Sequence, residues 1–177
     1  TIAKAIRTNV IDCTDRDILT PITGITNKFG ITVYHTDDLK LNEIGNLYIN
    51  HTVARNKNKN KLILLQKNET LYTQRYATAH LLGDYLFHYI NSEHEIEDLE
   101  YIRHCKPYNT GVQNRISQQF AMAILLPSQQ FINEHNYALT VDNTKDYVIK
   151  HLAKQFQVTD VMVERKIHEL RQRQKKT

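Results

Sequence analysis

Arg75-Tyr76-Ala77-Thr78-Ala79-His80-Leu81-Leu82-Gly83-Asp84-Tyr85-Leu86-Phe87-His88 is the stretch on which the reading of this chain turns. It lies inside residues 71–90, which are apolar almost all the way round, and a helix apolar on every side is a buried helix. Asn68, Glu69 and Thr70 stand just ahead of it as capping residues. Against that apolar background His80, Asp84 and His88 recur at i, i+4 and i+8, which places them in one row on one face. Buried polar groups must find partners, so the row needs a metal, its own members, or a polar group from another element.

Around this helix the hydrophobic pattern sketches the rest. Ile18, Leu19, Ile22, Ile25 and Phe29 recur at helical spacing and predict a helix over 15–29, stopped by Gly30 and with Pro21 near its first turn. Residues 31–34, 46–49 and 61–66 read as strands, the last two flanking a polar loop in which Arg55, Lys57, Lys59 and Lys61 alternate with Asn. The acidic stretch 91–100 reads as a solvated face. Helices are expected over 111–126, ending at Pro127, over a short 129–136, and over 144–155 and 160–172. A helix, a small sheet grouped in the first half, and then mostly helices is an α+β arrangement.

Length and composition bound the rest. A chain of 177 residues is expected to form one domain over 1–177, large enough to bury a core without disulfides or a structural metal. Apolar residues make up 41% and the mean hydropathy is −0.53, which excludes disordered and membrane classes. Two cysteines, Cys13 and Cys105, are too few for a secreted disulfide scaffold, and no segment reads as a signal peptide, so the expected compartment is the reducing cytoplasm. The net charge of +4 permits nucleic-acid contact without requiring it. The basic excess falls in the 55–61 loop and in the tail, at Arg165, Lys166, Arg171, Arg173, Lys175 and Lys176.

The 75–88 stretch resembles the active-site helix of the ImmA/IrrE metallopeptidases, whose motif runs close to R-F-T-x-A-H-E-x-G-H-x-x-x-H. A second landmark of that family, E-x-x-A-N-x-F-A-x-x-L-L-x-P, is similar at its end to Phe120-Ala121-Met122-Ala123-Ile124-Leu125-Leu126-Pro127. The resemblance covers roughly residues 15–130, with a less diagnostic helical part over 131–177. Two landmarks in order are far more specific than a lone HExxH. The resemblance implies a zincin-like fold, with the 71–90 helix buried at its centre and packed against 111–126.

The resemblance also implies what an active member would need: two histidines at i and i+4 with a downstream glutamate as zinc ligands, and a glutamate beside the first histidine as general base. His80 matches the first ligand. Leu81 stands at the general-base position and cannot take a proton. Asp84 replaces the second histidine. The downstream glutamate should fall within 113–117, a stretch without a carboxylate. No catalytic residue is therefore expected, and no metal. His80 and Asp84 are the vestigial ligand candidates, expected to form a buried hydrogen-bonded pair. His88 is expected to support or pack beside them, and Asn114 and Arg75 are candidates to line the cleft. His104 beside Cys105 reads as an ordinary loop pair.

Two functions follow from different classes. The first is a catalytically inactive protein of peptidase fold that acts as a protein-binding regulator. Active relatives act on helix-turn-helix repressors of phages and mobile elements, so the resemblance implies such a repressor as partner. The alternative is a zinc metallopeptidase with an atypical ligand set, such as His80, Asp84 and a loop group, that cleaves the repressor. The segment 152–170 itself has a helix-turn-helix pattern, with Thr159 as N-cap and an apolar stripe of Val161, Val163 and Ile167. Packing is the expected role of that stripe, and DNA contact by Arg165, Arg171 or Arg173 is the weaker reading.

Overall fold

A computed structural model describes residues 2–11, 17–50, 60–90, 100–106 and 112–174. The elements run α1 (Ile2–Ile11), α2 (Ile22–Lys28), β1 (Thr32–Thr36), β2 (Gly45–Asn50), β3 (Lys61–Gln66), α3 (Leu71–Asp84), a π-helical segment (Tyr85–Tyr89), β4 (Glu100–Cys105), α4 (Val112–Leu125), α5 (Ser128–Val141), α6 (Lys145–Phe156) and α7 (Asp160–Gln174). The fold is α+β, mostly helical with a small four-stranded sheet, and consistent with a zincin-like fold. No helix among the described residues is long and apolar enough to cross a membrane. The chain groups into two compact units, Pro21–Ala121 and Ala3–Thr20 with Met122–Thr177.

In the first unit the strand order is β1-β3-β2-β4. β1 runs parallel to β3, while β2 is antiparallel to both β3 and β4. Leu47, Ile49, Ile63 and Leu65 alternate onto one face and are buried there. α3 packs against β2, β3, β4 and α2. The Thr70 hydroxyl caps it, accepting from the amide of Thr73 at 3.2 Å. Every residue from Ala77 to Asp84 is buried, whereas Leu71 is 59% exposed. Burial therefore belongs to the second half of α3, and its first turn lies at the surface. The helix then widens into the π-helical segment, where the Ile90 amide reaches back to the Tyr85 carbonyl. Rings hold this turn: Tyr85 stacks on Tyr89, and Tyr89 meets Tyr101 of β4 at 5.2 Å.

Three expectations are corrected in this unit. The 15–29 helix is only Ile22–Lys28, because Pro21 sits at its N-cap and disfavours helical geometry in the residue before it. Residues 100–105 form β4, and so His104 and Cys105 are strand residues rather than loop residues. Lys61, counted with the basic loop, donates instead to the Phe29 carbonyl and the Tyr85 hydroxyl. The rest of that loop, 51–59, and most of the acidic stretch, 91–99, lie outside the described residues.

The second unit is helical, with Phe131, Leu152, Phe156, Val158 and Val163 in its core. Phe131 and Phe156 meet at 5.6 Å. α6 and α7 form the expected helix-turn-helix pair. Gln157 adopts the left-handed conformation at φ 51°, and the Val158 amide closes back on the Ala153 carbonyl. The buried stripe of α7 is Met162 and Val163, while Val161 is exposed. Lys166 is not part of a free basic face, since it is buried with its ammonium on the Ser128 hydroxyl at 3.2 Å. α5 is a full helix to Val141 rather than a short one. Helix α1 lies outside the elements that the sequence pattern predicts.

Candidate functional site

His80 and Asp84 face one another one helical turn apart, 2% and 1% exposed, with Nε2 and Oδ2 3.6 Å apart. That separation is too long for a hydrogen bond, so the expected bonded pair is not formed. Asp84 takes its hydrogen bond elsewhere: the Ser117 hydroxyl of α4 donates to Oδ1 at 2.5 Å. His88, carried round by the π-helical turn, places Nε2 3.9 Å from the same oxygen. The i, i+4, i+8 row is thus brought together. Both ring nitrogens of His80 and the Oδ2 of Asp84 have no hydrogen-bond partner among the described residues.

Electrostatics fix the form of His80. Burial pushes its imidazole below the ordinary histidine value, and His88 and Arg103 push the same way, while Asp84 opposes them. Burial wins, and the ring is held neutral. The pull of Asp84 toward the imidazolium is outweighed by the desolvation cost. A neutral imidazole is the ligating form, so His80 itself could hold a metal.

β4 supplies a wall that the sequence did not disclose. Tyr101, Arg103 and Cys105 alternate onto its inner face, and Glu100, Ile102 and His104 point outward. The Arg103 guanidinium donates to the Tyr101 hydroxyl at 2.9 Å. Burial, with Asp84 adding to it, pushes the Cys105 thiol well up. His104 lies on the other face, 3.1 Å from a Glu43 carboxylate oxygen.

Leu81 is fully buried, with its Cδ1 against Gly45 of β2. A Cβ on Gly45 of β2 would stand 3.1 Å from its Cδ1, so the glycine makes room for this leucine. Gly83 does the same across the helix pair, where a Cβ would stand 3.0 Å from the Ser117 Cα. These contacts, with Phe87 against Phe120 at 5.6 Å, seat α3 on α4 as expected.

Among the described residues the donor set does not complete a peptidase zinc site. The spacing and the unpartnered atoms of His80 and Asp84 suit two ligands of a shared cation. Among the described residues, however, no group of three or more His, Cys, Asp or Glu is placed to hold a metal. Zinc in a hydrolytic site takes three protein ligands and an open position. Arg75 is partly buried five residues before His80, with burial lowering its pKa. Asn114 lies in α4, three residues before Ser117, and its side chain is outside the described residues. Sequence reasoning missed Ser117, although it lies in the window inspected for a third ligand. It also missed Tyr101 and Arg103, which do not read as an apolar alternation in the sequence of β4.

No curated protein matches the chain. Residues 26–168 match the peptidase family model described as IrrE N-terminal-like domain. The match spans both landmarks, from the His80 helix to the Pro127 stop, and continues into the helical part. The chain belongs to the IrrE N-terminal-like peptidase family.

Proposed function

We propose that this metallopeptidase-like chain is a non-catalytic, protein-binding regulator working in a reducing cytoplasm without a resident metal. One observation carries the reading. The side chain at the general-base position, Leu81, is an apolar group wholly buried against Gly45 of the sheet, and it cannot take a proton. The ligand set supports it, because Asp84 is engaged by Ser117 and no described carboxylate completes a three-ligand site. The partner follows from the family resemblance: a helix-turn-helix repressor of a phage or mobile element, bound rather than cut.

The test is to mix the purified chain with a helix-turn-helix repressor from the same genetic element, with and without added zinc. The expected result is a complex in which the repressor stays intact on mass spectrometry. Cleavage that depends on zinc and is lost in His80→Ala would establish the enzyme alternative instead. Failure of such repressors to bind at all would remove the regulator half of the reading.

A further inference from the structure

We draw no further inference here: the strongest candidate, the outer face of the four-stranded sheet, where Tyr34, Leu64, Leu62, Tyr48 and Ile102 lie side by side across β1, β3, β2 and β4, is an apolar face on which nothing in the structure shows what covers it.

Discussion

The two carboxylate oxygens of Asp84 have different surroundings. Oδ1 accepts from Ser117, and Oδ2 faces an imidazole too distant to donate. Ser117 is thus the group that makes a buried carboxylate tolerable. Ser117→Ala should destabilise the fold by about 1.5–3 kcal/mol, the range for losing a hydrogen bond to a buried charged group, as read from urea unfolding. A loss below half a kcal/mol would mean that something else satisfies Asp84. Leu81→Glu places a carboxylate in a fully apolar pocket and should cost on the order of a few kcal/mol. Zinc should recover that stability only once Asp84→His and Asn114→Glu are added, since a ligand stabilises only a state that binds it. Recovery by zinc in the single variant would show a working ligand set. At this scale His80, Leu81 and Asp84 were legible because their roles follow from spacing on one helix. Ser117 and Arg103 were not, because they reach the site from elements distant in sequence, and a serine or an arginine on a polar strand carries no periodic signature.

At the scale of elements, α3 and α4 approach closely because Gly83 leaves no side chain at their crossing. Gly83→Ala would drive a methyl to within 3.0 Å of the Ser117 Cα, which is backbone and cannot swing aside. The gain in helix propensity is up to about 1 kcal/mol. Overpacking costs about 1–3 kcal/mol and should win, lowering the melting temperature. A stabilised variant would mean that the helices are free to separate. The long helices were readable from their apolar stripes and stops, Pro127 above all. β4 was not, because its inward residues, Tyr101, Arg103 and Cys105, do not read as an apolar alternation, and its first residue ends an acidic run. α1 did carry a signal, Ala3 and Ile6 buried at helical spacing, in a segment too short to stand out. Apolar spacing over 15–29 does not carry the helix back through Pro21, and the chain is irregular over 17–20. There the Thr20 hydroxyl donates to the Ile124 carbonyl, a long-range bond no local pattern announces.

At the scale of the whole molecule, the chain belongs to the family, and the proposed function takes the residues that would make it a hydrolase as replaced. The motif helix, its seat on the sheet and its contact with α4 are all present, and the family match extends across residues 26–168. That proposal rests on three positions of the resemblance: Leu81 at the general base, Asp84 at the second histidine, and a 113–117 window without a carboxylate. The proposed function is a scaffold that works through its surface and not through hydrolysis. The most direct measurement is the zinc content of the purified chain after exhaustive dialysis, by elemental analysis, beside the His80→Ala variant. The account predicts no stoichiometric zinc in either. One zinc per chain in the wild type, lost in His80→Ala, would contradict it and make Asp84 a working ligand.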